Sequence, residues 1–127
     1  MPASGSESNP EPGVVSDLRA AAAAEDWAAV GCSYHENAIV IDDQGVPSGR
    51  AQIVDSYRSF HDVSGGAQPV ITEQQSHQDL VRVLFTLDAG WWEIQDGVHT
   101  YLIQAGRIRR QTTHGLITFT GPPPENP

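Results

Sequence analysis

Lysine is absent from this chain of 127 residues, and all seven basic side chains are arginines. With no side-chain primary amine, Schiff-base chemistry and lysine-anchored pyridoxal phosphate are excluded. Basic residues are scarce altogether, 7 against 16 acidic ones, for a formal charge of -9. A field of that sign repels phosphate backbones and anionic lipid surfaces, so neither nucleic acid nor membrane is an expected partner. Cysteine is nearly missing too. Cys32 stands alone, which leaves no intramolecular disulfide and no thiolate cluster. Inside the pattern Trp27-Val30-Gly31-Tyr34 it is expected as a small packing residue. No apolar run approaches the length that spans a bilayer, and the first residues lack the charged-then-apolar layout of a signal peptide. The cytoplasm is therefore the expected compartment. The histidines at 35, 61, 77, 99 and 114 show no His-x-His, His-x-x-x-His or Glu-x-x-His spacing. No metal is expected from them, and with no glycine-rich phosphate loop no cofactor is implied.

What is present reads as one domain. An apolar content of 39% suits a single modest core. Residues 1–12 and 121–127 hold Pro, Ser, Glu and Asn with little to bury and are expected to be mobile tails around a domain at 13–120. Residues 14–25, with Val14, Val15, Leu18 and an alanine run, predict a first helix. Glu25-Asp26 then offers an N-cap to a short second helix with Trp27, Val30, Gly31 and Tyr34 on one face. Residues 37–42 form a β-branched strand and 44–47 a turn. A third helix, capped by Ser48, repeats Ile53, Tyr57 and Phe60 at one-turn intervals and stops before Ser64-Gly65-Gly66. Strand patterns follow at 68–76, 80–87, 98–104 and 107–119, with a further extended piece from Trp91-Trp92 to the turn signal Asp96-Gly97. Helices first and hairpin-linked strands after imply an α+β fold, with three helices over one face of a curved antiparallel sheet. Such a sheet closes as a cone around an apolar hollow, the kind of pocket that takes small, mostly apolar molecules.

Asp42 is the pivotal residue. It falls where an apolar strand (Ile39, Val40, Ile41) runs out, where partial desolvation raises a carboxylate's proton affinity and suits it to general base work. The alternative is that Asp42 opens the turn and caps its backbone. His99 can pair with it in two ways: as hydrogen-bond donor to the oxygen that gains charge, or as a base that Asp42 orients. Alternation puts Tyr101 and Ile103 beside His99, and groups Arg109, Gln111 and Thr113 on one face of the last strand, opposite Arg110, Thr112 and His114. A single bulge would exchange those faces. His114 is a secondary candidate. Tyr34, Tyr57 and Trp27 read mainly as core, with a tyrosine hydroxyl able to reach a ligand. Trp91 and Trp92 point to opposite sides, so one meets the hollow or a dimer contact.

The strings EDWAAVGCSYHENAIVIDDQG, SGRAQIVDSYRSF and HTYLIQAGRIRRQTTHG, in that order, resemble the NTF2-like superfamily, in particular its ketosteroid isomerase and SnoaL-like polyketide cyclase branch. The resemblance implies an NTF2-like cone, no cofactor, a homodimer, and Asp42 at the position of the isomerases' proton-shuttling aspartate. The isomerases' acid position holds His99, the cyclases' strand aspartate is replaced by Thr113, and the isomerases' first-helix tyrosine falls near Leu18. The expected function is a cofactor-independent acid–base isomerase or cyclase with Asp42 and His99 as catalytic pair. Tyr34, Val40, Tyr57, Trp91, Tyr101, Arg109, Gln111 and Thr113 are the expected contacts to a small apolar or polyketide-like substrate. The alternatives are a non-catalytic small-molecule-binding or dimerisation module, and an epoxide hydrolase-like enzyme built around Arg109.

Overall fold

Small side chains carry the first helix. In the computed structural model, which describes residues 13–125, α1 (Gly13–Ala23) buries Val15 and Leu18. The helix ends in a Schellman turn: the Asp26 amide donates to the Ala21 carbonyl, the Glu25 amide to that of Ala22, and Glu25 takes the left-handed conformation (φ 57) usual for glycine. Asp26 then caps α2 (Trp27–Cys32), its carboxylate accepting from the Ala29 amide at 3.2 Å. Cys32 is exposed, a correction to its expected packing role. Val30 and Gly31 are the buried residues of α2, and Trp27 packs partly buried against the same core. The segments 1–12 and 126–127, expected as mobile, lie outside the described residues.

After β1 (Tyr34–Ile41) the chain doubles back along that strand's free edge, with the Val40 amide donating to the Pro47 carbonyl and that of Asp42 to Gly45. Ser48 is taken up in this return, bridged to Ile39. So α3 (Arg50–Val63) is capped by Gly49 (φ 84) and not by the expected serine side chain. The Gly-Arg opening has a packing reason. Arg50 lies across Gly31, where an added Cβ would come within 3.3 Å of its stem, and its Nη2 donates to the Tyr34 carbonyl at 2.8 Å.

The remaining strands are β2 (Val70–His77), β3 (Leu80–Asp88), β4 (Trp92–Gln104), β5 (Arg107–His114) and β6 (Ile117–Phe119). They form, with β1, a curved six-stranded sheet among the described residues, in the order β1-β5-β4-β3-β2 with β6 against β4. One pairing departs from expectation: β1 runs parallel to β5, so the sheet is mixed. A second difference lies at Asp96-Gly97. The tryptophan segment and 98–104 are one strand, and the expected turn is a bulge at which the Phe85↔Gly97 pairing gives way to Leu87↔Ile94. The long last strand is likewise two, broken at Gly115, where an added Cβ would strike Ile94 at 2.7 Å. Alternation along β3 is as read: Val81, Val83, Phe85 and Leu87 are buried. Val81 and Val83 pack with Val15 and Leu18 of α1 and Ile53 of α3, and Phe85 and Leu87 with Trp92 and Ile94 of β4, each worth about 1.5–3 kcal/mol of burial.

Candidate functional site

A hydrogen-bonded line of polar side chains crosses the inner face of the sheet. Tyr34 opens β1 and is fully buried. Its hydroxyl lies 2.6 Å from that of Tyr57 on α3 and donates to Gln111 Oε1 on β5 at 2.5 Å. Gln111 Nε2 donates to Thr113 Oγ1 at 2.9 Å, and Thr113 Oγ1 meets His99 Nδ1 on β4 at 2.9 Å. Register explains the assembly. Tyr101 is paired with Gln111 and His99 with Thr113, so alternation on two adjacent strands brings four inward side chains together. Burial pushes the Tyr34 hydroxyl well above the ordinary phenol range, helped by its Tyr57 and Tyr101 neighbours, and burial raises Tyr57 as well. Both therefore stay protonated at any physiological pH.

His99 ends this line in an aromatic setting. Its ring stacks on Phe85 with centroids 4.3 Å apart and planes 12° from parallel, and Tyr101 lies 5.7 Å away. Phe85 can lie there because Gly97 is beneath it: a Cβ on Gly97 would fall 2.4 Å from the phenyl ring. Desolvation lowers the His99 pKa to about 4, with the positive charge of Arg19 on α1 adding to the effect. The imidazole is neutral at pH 7. Neither Phe85 nor Arg19 was among the expected site residues. Phe85 was visible as an inward residue of an alternating strand, but its ring plane depends on the bulge at Gly97. Arg19 reaches His99 only through the packing of α1, and no local signal marks it.

Asp42 follows the last residue of β1, its Oδ1 accepting from the amides of Gln44 (2.8 Å) and Gly45 (2.9 Å). It thus closes the turn, and it borders an open groove of about 340 Å³ between that turn and Gln52, Asp55 and Ser56 of α3. Asp42 does not orient His99, whose Nδ1 partner is Thr113. β1 pairs Ile41 with Thr112, the neighbour of the Thr113 that pairs with His99, while Asp42, just past that last pair, bridges to Gly45 and borders a groove that His99 does not line.

The other expected contacts divide. Tyr34, Tyr57, Tyr101, Gln111 and Thr113 gather on the inner face, and Val40 is buried in the same core. Trp91 packs on Phe119 at 5.7 Å, and its neighbour Trp92 turns inward, 2% exposed, against the edge of Phe60. The register slips where Leu102 pairs with Arg110 and Ile103 with Ile108, so Arg109 drops out of the alternation that holds Gln111 and Thr113. No carboxylate pairs with Arg109 among the described residues. His114 is exposed and bonded to Asp43 at 3.0 Å. That hydrogen bond raises the His114 pKa and lowers that of Asp43. Among the described residues no group of three or more His, Cys, Asp or Glu could hold a metal ion, and no helix is long and apolar enough to cross a membrane.

No protein-family model matches the sequence, and no curated protein matches it. Solved structures do. A candidate ketosteroid isomerase from Kribbella flavida superposes with a TM-score of 0.73 at 16% identity, covering 89% of this chain and 82% of that one. A candidate polyketide cyclase from Sinorhizobium meliloti gives 0.70 at 18% identity, covering 81% and 94%. An NTF2-like protein of unknown function from Cytophaga hutchinsonii gives 0.68 at 14%, covering 80% and 86%. Likeness at such identities reaches the fold and stops short of the activity. The chain has the NTF2-like fold.

Proposed function

We propose that the protein is a cofactor-independent acid–base catalyst, an isomerase or cyclase, acting on a small and mostly apolar molecule that carries a carbonyl group. The observation that carries this reading is His99: a neutral imidazole set among Phe85 and Tyr101, tied through Nδ1 to Thr113. Removing a proton beside a carbonyl needs a base at the carbon and a hydrogen-bond donor at the oxygen, because charge moves from one to the other. His99 serves the oxygen. Asp42, just past the end of β1, serves the carbon, its Oδ1 holding the turn while the second carboxylate oxygen takes the proton. Tyr101 and Val40 belong to the apolar wall, and the likeness to candidate isomerases and cyclases supports the same class.

The test is solvent-deuterium exchange into a panel of enolisable ketones and polyketide-like intermediates, followed by mass spectrometry. Asp42→Asn keeps an oxygen for the Gln44 and Gly45 amides, so it removes the base and spares the turn. It should slow exchange by roughly 10²–10⁴-fold. His99→Gln should cost a comparable factor. Exchange that both variants sustain at the wild-type rate would end the proposal.

A second reading has its own observation. The Tyr34–Tyr57 pair and the Phe85–His99 stack fill much of the inner face, which suits a module that holds a ligand without transforming it. Ligand-induced shifts at His99 with no exchange in any compound would favour that reading. In either case we place a homodimer contact on the outward face of the sheet, where Leu80 of β3 pairs with Leu102 of β4, both partly or largely exposed.

A further inference from the structure

We infer that the hydrogen-bond line from Tyr57 to His99 has one direction, so that His99 is held as the Nε2–H tautomer and offers a donor to a carbonyl or enolate oxygen, with Gln111 as the positioning residue that sets it. This deepens the carbonyl reading above and rests on it for the identity of the ligand, though not for the tautomer.

The direction follows from counting protons. Tyr34 has one hydroxyl proton and gives it to Gln111 Oε1. In its contact with Tyr57 it can then only accept, so Tyr57 donates. An amide whose oxygen faces Tyr34 turns its NH₂ the other way, and Gln111 Nε2 accordingly donates to Thr113 Oγ1. Thr113 keeps its own proton, and His99 Nδ1 at 2.9 Å is the acceptor for it. The reverse arrangement, Nδ1–H donating to Oγ1, would strand the threonine proton, because Oγ1 has no further partner among the described residues. A neutral imidazole that accepts at Nδ1 carries its proton on Nε2.

That Nε2–H is in turn available. It has no hydrogen-bond partner among the described residues. The nearby charge of Arg19 favours an oxygen that gains negative charge and disfavours an imidazolium. The site is thus built for acceptors. A ligand whose only polar group is a donor, such as an ammonium, finds no lone pair on His99.

Nitrogen-15 NMR of the histidine-labelled, ligand-free protein reads the tautomer directly, independent of any turnover. The expected spectrum has His99 Nε2 in the protonated range and Nδ1 in the unprotonated range near pH 7. Gln111→Glu supplies two acceptors and no donor. The Thr113 proton is then drawn to the carboxylate, and Oγ1 must accept from His99 Nδ1–H. Both resonances should exchange positions, or His99 should become doubly protonated. Thr113→Val, a smaller change in case the first variant misfolds, removes the donor to Nδ1 and should mix the two tautomers. A wild-type His99 protonated at Nδ1, or a tautomer unmoved by both variants, overturns the inference. A spectrum as expected in a protein that exchanges no ketone would remove the catalytic reading and leave the donor in place.

Discussion

His99 is neutral because the fold withholds water from it, and that has a consequence for stability. Its pKa is about 4 in the native protein and near the ordinary value, roughly 6.5, in the unfolded chain. Above pH 6.5 both states hold the ring neutral and the residue exerts no pH effect. Between 6.5 and 4 the unfolded chain binds the proton and the native one does not, so stability falls as the pH is lowered through that window and levels off below it. The full difference is on the order of 3 kcal/mol. Urea midpoints of wild type and His99→Gln should converge toward pH 4.5, with the variant showing the flatter profile. Parallel profiles would mean that the ring is solvated. The exposed Asp43–His114 pair tilts the other residues' balance in two ways. Its raised histidine favours the folded state below the ordinary histidine pKa and loses that effect as pH rises, while its lowered carboxylate keeps its contribution until strongly acidic conditions.

At the scale of the element, β4 is the decisive strand. Its bulge at Asp96-Gly97 lets the strand carry Trp92 and Ile94 to one core cluster and Tyr101 to the other, with His99 between Phe85 of the first and Tyr101 of the second. Gly97 is required there by space: the Phe85 ring occupies the volume of any Cβ. Gly97→Ala should therefore displace Phe85 and cost roughly 1–3 kcal/mol as overpacking. Chemical denaturation checks the cost, and the loss of the Phe85 ring-current shift on His99 in proton NMR checks the cause. An Asp-Gly pair in sequence signals a turn or a bulge alike, which is why the expectation of a turn was reasonable and incomplete. The expectation of a serine cap on α3 failed for a related reason. Ser48 sits where a cap would be, yet the chain returning beside β1 takes its backbone into a bridge and passes the cap position to Gly49.

For the whole molecule, the inner face of the sheet is covered by α1 and α3, while the outer face presents the paired Leu80 and Leu102. Apolar residues in adjoining positions on an otherwise open sheet face mark a surface for association. If the protein is a dimer through that face, Leu102→Glu should halve the mass seen by sedimentation equilibrium while leaving the His99 resonances in place. An unchanged mass would put the contact elsewhere. The α+β architecture itself was legible, because periodicity separates amphipathic helices from alternating strands and the order of the two restricts the topology, while the NTF2-like character rested on the resemblance of three ordered strings. The inward set Val81, Val83, Phe85 and Leu87 was legible for the same reason. The pairing of β1 with β5 was not, since parallel partners are far apart in the chain and leave no hairpin signal.

By itself the sequence determined the class of fold: α+β, acidic, without lysine, with a candidate carboxylate at a strand end and a candidate imidazole on a late strand. Those features depend on composition and local period, which a single chain carries openly. Only the tertiary structure decided what the candidates touch. It committed one oxygen of Asp42 to a turn, gave His99 to Thr113, and brought Tyr57, Tyr34 and Gln111 into line behind it. Hydrogen bonds of that kind depend on the register of three strands and a helix, and register is a property of the packed sheet, which no stretch of residues specifies alone.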